Sequence, residues 1–285
     1  MEKHLIVLDM GGTLLNSNKG ISSLTKNYLL ELVNQGHKII LASGRPVRAL
    51  ISYYNELGLD TPMICYNGAY IYSPNNDEFK PVIYEFPKET ISKFLDDIKN
   101  QVLNVMCEDD TNIWVDKEDK YLDYFFWYKG MKLHIGDLHK ILNKNPKTCI
   151  VHTPEIYTEN KEIDKALSKY PELSIHYWTG SPYFELCFKD VSKGAALIKI
   201  SEFYGISKEN IISFGDAEND VHMFQISGTS VIMKNTKYDI GDKAMLMSEK
   251  DNDHNGIYYE LKKIIKKDVK WNRGCNKLHS LFFYF

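Results

Sequence analysis

The chain lacks any run approaching the roughly 20 apolar residues of a membrane-spanning helix, so pumps, channels and membrane partners are not expected. Its first ten residues, Met1 to Met10, hold only a short apolar run that ends at Asp9. No small-residue cleavage pattern follows, which argues against a signal peptide. Cysteine is sparse: Cys65, Cys107, Cys149, Cys187 and Cys275 stand singly, with no CxxC pair and an odd total. They read as buried thiols of a reducing, cytoplasmic compartment. The nine histidines show no HxH or HExxH spacing, which leaves zinc without support. Neither GxGxxG nor GxxxxGKS/T occurs, so dinucleotide and Walker-type nucleotide binding have no motif. A basic excess is missing too: 35 Lys and Arg face 38 Asp and Glu, a net charge of -3. That excludes a nucleic-acid groove as the main business and leaves acidic metabolites open, since a few local cations suffice for them.

What is present is globular. Hydrophobic residues make up 44% and charged residues 26% of 285 residues, enough for two domains of about 150 residues each. The run Leu5-Ile6-Val7-Leu8 is continuously apolar, as befits a strand buried on both faces. A helix over Ser23 to Gln35 follows, then a strand Lys38 to Ala42, a second helix reaching Leu57, and a strand Pro62 to Tyr66. This alternation predicts a doubly wound α/β sheet. From about Val82 to Phe188 the strands turn amphipathic and aromatic, with helices over about Glu89 to Asn100, Asp119 to Tyr128 and Glu159 to Tyr170. That pattern predicts an α+β module whose mainly antiparallel sheet has one helix-covered face. The buried rhythm then returns: a helix over Ser192 to Tyr204, strand Ile211 to Phe214, helix Glu218 to Gln225 and strand Thr229 to Met233. The expected organisation is a discontinuous α/β core, 1–82 plus 188–270, with 83–187 inserted. Residues 271–285 form an apolar tail that either packs on the body or was added in cloning.

Four strand ends carry polar residues, and open α/β sheets bind ligands at the carboxyl ends of their strands. Asp9 after the first strand offers a nucleophile or metal ligand, or merely a turn cap. Ser43, with the backbone N–H groups of Gly44 and Arg45 behind it, suits a phosphate oxygen, although Ser-Gly is also ordinary turn chemistry. Lys193 opens a helix against its dipole and so calls for an anionic partner. The stretch Gly215-Asp216-Ala217-Glu218-Asn219-Asp220 packs carboxylates and an amide behind a tight turn. It suits a hard cation with oxygen ligands, or a helix cap.

The ordered set Leu8-Asp9-Met10-Gly11-Gly12-Thr13-Leu14, Ala42-Ser43-Gly44-Arg45-Pro46, Ser192-Lys193-Gly194 and Gly215 to Asp220 resembles the haloacid dehalogenase-type phosphatases. The subfamily is the Cof type (class IIB), with an α+β cap between the second and third motifs. Ile64-Cys65-Tyr66-Asn67-Gly68-Ala69 and Asn235 also fit it. The resemblance implies that Asp9 attacks phosphorus and becomes an aspartyl-phosphate. It implies Mg²⁺ held by Asp9, Asp216 and the Gly11 backbone carbonyl, with Asp220 supporting from behind. Ser43, Gly44, Arg45, Lys193 and Asn219 would then hold the phosphoryl oxygens. The expected substrate is a small phosphorylated metabolite such as a sugar phosphate.

One position departs from the pattern. Two residues after the nucleophile the family places an Asp that gives and takes the proton; here that residue is Gly11. Proton transfer of this kind is worth about 10²–10⁴-fold. The sequence therefore carries two readings, a Mg²⁺-dependent phosphatase and a catalytically silent binder or regulator. A phospho-accepting receiver is set aside, because its acceptor lies on an internal strand. Nothing in the sequence speaks to oligomeric state.

Overall fold

The computed structural model describes residues 3–119 and 130–266. The helix expected beyond Asp119 and the apolar tail 271–285, with Cys275, lie outside the described residues. The strands in chain order are β1 (Leu5–Asp9), β2 (Lys38–Ala42), β3 (Met63–Cys65), β4 (Tyr70–Tyr72), β5 (Val82–Ile83), β6 (Asn104–Glu108) and β7 (Asn112–Val115). They continue with β8 (Lys132–Ile135), β9 (Thr148–His152), β10 (Leu173–Tyr177), β11 (Tyr183–Phe188), β12 (Ile211–Gly215), β13 (Thr229–Ile232) and β14 (Leu246–Met247). Among the described residues the helices include α1 (Ser23–Asn34), α2 (Val47–Glu56), α3 (Lys88–Asp97), α4 (Leu138–Ile141), α5 (Lys161–Leu167), α6 (Lys193–Tyr204) and α7 (Val221–Ile226). Residues 256–266 are also helical.

The chain divides into two compact units. The first comprises residues 3–42, 53–61 and 197–266, and the second 43–52, 62–119 and 130–196. In the first unit β14-β13-β12-β1-β2 lie side by side and all run parallel. Every residue of β1 and β12 is buried, which is why both read as near-continuous apolar runs. Leu8 pairs with Phe214, so the residues that follow each strand emerge side by side at the carboxyl edge. Ser22 starts α1 by accepting from the N–H of Thr25 at 3.2 Å, a standard satisfaction of a helix's first donors. Gly36, at φ +88°, stops it.

In the second unit β3, β4 and β5 form an antiparallel meander. A six-stranded sheet runs in the order β10-β11-β9-β6-β7-β8, antiparallel except for β7 with β8. One face buries Trp114, Phe184 and Leu186 with Phe94 of α3 and Ile163 of α5. The other carries Met106, Ile113, Val115, Ile150 and Tyr183. The expected helix from Glu218 is a 3-10 turn over Glu218–Asp220 before α7 begins. Asp220 turns its carboxylate back onto backbone N–H groups there, which tightens the start.

Candidate active site

Asp9 ends β1 and is 7% exposed, while Asp220 is fully buried. Asp216 follows β12 directly, half-buried. One carboxylate oxygen from each of the three lies within 4.8 Å of the others. Three carboxylates so close repel one another unless a positive charge is shared among them. An all-oxygen donor set of this kind fits a hard divalent cation.

The surrounding chain fixes these carboxylates. Asp220 Oδ2 accepts from the N–H groups of Asp216 at 3.0 Å and Ala217 at 3.1 Å. Asp216 Oδ1 accepts from Thr13 Oγ1 at 2.8 Å, and its carbonyl from Thr236 Oγ1 at 2.7 Å. Asn235 Nδ2 donates to the Gly12 carbonyl at 2.8 Å. Asn252 then joins the system, donating its N–H to Asn235 Oδ1 at 3.1 Å and its Nδ2 to the Leu15 carbonyl at 2.8 Å. Gly12 sits at φ +81°, and a Cβ there would lie 2.4 Å from Asp216 Oδ2; no side chain fits. Gly11 differs from it. It is exposed, pairs by a bridge with Leu15, and is not among the glycines with positive φ.

Asp9, Gly11, Asp216, Asn219 and Asp220 all belong to the first unit, with Asn219 half-buried in the 3-10 turn beside Asp220. Ser43, Gly44, Arg45 and Lys193 belong to the second. Ser43 follows β2 and is buried; its Oγ accepts from the N–H of Arg45 at 3.2 Å. Lys193 opens α6 and is fully buried, a placement that costs free energy for an ammonium unless charge and hydrogen bonds meet it. In the same unit Arg48 of α2 is ion-paired to Glu108 of β6, and burial still pushes that carboxyl up to about 8. Sequence reasoning gave no role to Thr13, Thr236 or Asn252. A lone hydroxyl or amide in a loop carries no spacing signal; only the fold brings them to Asp216 and Leu15.

Comparison with known proteins follows the same line. A family model for haloacid dehalogenase-like hydrolases matches residues 6–261. The chain is 30% identical over 236 residues to the 5-amino-6-(5-phospho-D-ribitylamino)uracil phosphatase YitU of Bacillus subtilis, spanning 81% of this chain and 87% of that protein. It is 26% identical over 251 residues to the pyridoxal phosphate phosphatase YbhA of Escherichia coli, spanning 82% and 89%. A solved sugar phosphatase of haloacid dehalogenase subclass IIB superposes with a TM-score of 0.75 at 21% identity, over 92% of this chain and 99% of that one.

Proposed function

The chain belongs to the haloacid dehalogenase-like hydrolases, Cof type, and from that premise we propose a Mg²⁺-dependent phosphomonoesterase for a small phosphorylated metabolite such as a sugar phosphate. The observation that carries this reading is the Asp9, Asp216, Asp220 cluster beyond two adjacent parallel strands. Its relatives support the substrate class: one is a phosphatase of a phosphorylated ribitylaminouracil, another of pyridoxal phosphate. Residues 1–82 with 188–270 then act as the catalytic core and 83–187 as its cap.

Asp9 attacks phosphorus in line, and the bond from phosphorus to the leaving oxygen breaks as the aspartyl-phosphate forms. Water then attacks that acyl phosphate, releases inorganic phosphate and restores Asp9. Asp9, Asp216 and the Gly11 carbonyl would hold Mg²⁺, which when bound would supply the charge that lets a carboxylate approach a phosphate dianion. Asp220 holds the Asp216 backbone in place for that task. Ser43, the N–H groups of Gly44 and Arg45, Lys193 and Asn219 take the phosphoryl oxygens, and Lys193 offsets their charge. The leaving alkoxide needs a proton and the attacking water must lose one. Gly11 has no side chain to do either.

That gap favours a second reading, a silent binder of the same phosphorylated metabolites. Steady-state hydrolysis across a metabolite panel separates the two. Turnover above an Asp9→Asn control supports the phosphatase, whereas ligand-induced stabilisation without turnover supports the binder. With neither, both readings fail.

A further inference from the structure

Tyr66, Asn67 and Gly68 follow β3 at φ values of 47°, 53° and 104°. Three consecutive residues in the left-handed region, two of them with side chains, are costly and persist only where their surroundings hold them. Here the turn holds two other segments in return. The N–H of Asn67 donates to the Ser43 carbonyl at 3.1 Å, and that of Tyr66 to the Arg45 carbonyl at 3.2 Å. The Asn67 amide packs against Gly44, where a Cβ would stand 3.1 Å from both its Oδ1 and its Nδ2. A Cβ on Gly68 would stand 2.4 Å from the carbonyl oxygen of Ser192, the residue before Lys193. A single strained turn thus abuts the backbones of both segments assigned above to phosphate binding.

The Asn67 side chain of the turn also meets a carboxyl of the six-stranded sheet. Glu185 of β11 accepts from Asn67 Nδ2 through Oε2 at 3.1 Å, and from Thr148 Oγ1 of β9 through Oε1 at 3.0 Å. It is buried, and burial pushes its carboxyl up to about 7. A carboxyl kept at such a site is not explained by stability, since apolar replacements of buried charges are often at least as stable.

We propose that Glu185 is a positioning residue for phosphate binding: by fixing the Asn67 amide against Gly44 it keeps the Ser43 to Arg45 loop, and with it the segment entering Lys193, in the binding conformation. The assignment rests on the phosphate-binding role given to that loop in the proposed function. It adds a link that no motif contains, from a strand of the insertion to the loop after β2.

Titration of the full chain with inorganic phosphate in the presence of Mg²⁺, alongside thermal unfolding, tests it. Glu185→Ala removes the acceptor and is expected to weaken phosphate binding about tenfold, the scale of one hydrogen bond to a charged group. Glu185→Gln retains an oxygen for Asn67 and restores affinity to within about twofold of the original. Asn67→Gly tolerates the left-handed backbone, and its loss should match that of Glu185→Ala, with no further loss in the double variant. If Glu185→Ala does not fold, Asn67→Gly and Glu185→Gln carry the test alone. Lowered melting temperatures with unchanged phosphate affinity would overturn the positioning role and leave the proposed function standing. Failure of the unaltered protein to bind phosphate would overturn both.

Discussion

Gly11 and Gly12 are neighbours with opposite tolerances. Gly11 is exposed and is not among the glycines with a left-handed backbone, so Gly11→Asp supplies the family's missing carboxyl two residues after Asp9. Turnover of an alkyl phosphate is expected to rise by about 10²-fold or more, and by much less for nitrophenyl phosphate, whose leaving group departs without a proton. Equal rates for the two proteins on a sugar phosphate would assign proton transfer to another residue. The unaltered protein should release nitrophenolate in a burst close to stoichiometric with enzyme and then stall, since water also lacks its base. Gly12→Ala meets Asp216 Oδ2 and should abolish Mg²⁺ binding measured by calorimetry. The two acids beyond β12 also separate. Asp216→Ala should cost more Mg²⁺ affinity than Asp220→Ala, whereas Asp220→Ala strands two N–H donors and should cost more stability, about 1–3 kcal/mol per donor left without a partner. Equal effects of the two variants on Mg²⁺ affinity would show that Asp220 is itself a ligand.

Elements differ in how much each announces itself. The strands β1, β2 and β12 were legible because burial on both faces demands an uninterrupted apolar run, and Asp9 and Asp216 stood out as candidates because each follows such a run. The helix α1 was legible through its spacing and through Gly36. By contrast β8, Lys132–Ile135, is largely exposed, and β14 is two exposed residues; neither has a pattern that a strand at a sheet edge must show. The 3-10 turn at Glu218–Asp220 read as helix because its distinction lies in where Asp220 points, a matter of hydrogen bonding rather than of residue type. The partners of Asp216 were hidden for a related reason: Thr13 and Thr236 are distant in sequence and ordinary in kind. Short elements depend most on their ends. Asn160 accepts from the N–H groups of both Glu162 and Ile163 at the start of the seven-residue α5, so Asn160→Ala should destabilise by about 1 kcal/mol in urea unfolding. No change would mean that Ile163 and its neighbours hold the helix by packing alone.

For the molecule as a whole, the buried carboxyl of Glu185 makes stability depend on pH. Its value of about 7 in the fold lies above the usual 4.5, so the fold prefers the protonated form. At pH 4.5 and below, both folded and unfolded chains hold that proton and little penalty arises. Between 4.5 and 7 the penalty grows, and above 7 it is complete. Glu185→Gln should therefore gain stability over the unaltered protein at pH 8 but not at pH 4.5, read from urea midpoints at each. An equal difference at both would show that Glu185 titrates normally. The pairing of β1 with β12 has a consequence of another kind, in time. Leu5 meets Ile211, some 200 residues later in the chain. A ribosome adding about 5–20 residues per second exposes one apolar edge of β1 for roughly 10–40 seconds before its neighbour exists. Edges of that sort recruit other chains, and this one stays open through that interval. The acidic cluster also completes itself only after Asp220 has left the ribosome. On the proposed metal role, a nascent chain stopped short of residue 211 should therefore show no Mg²⁺ binding at this cluster.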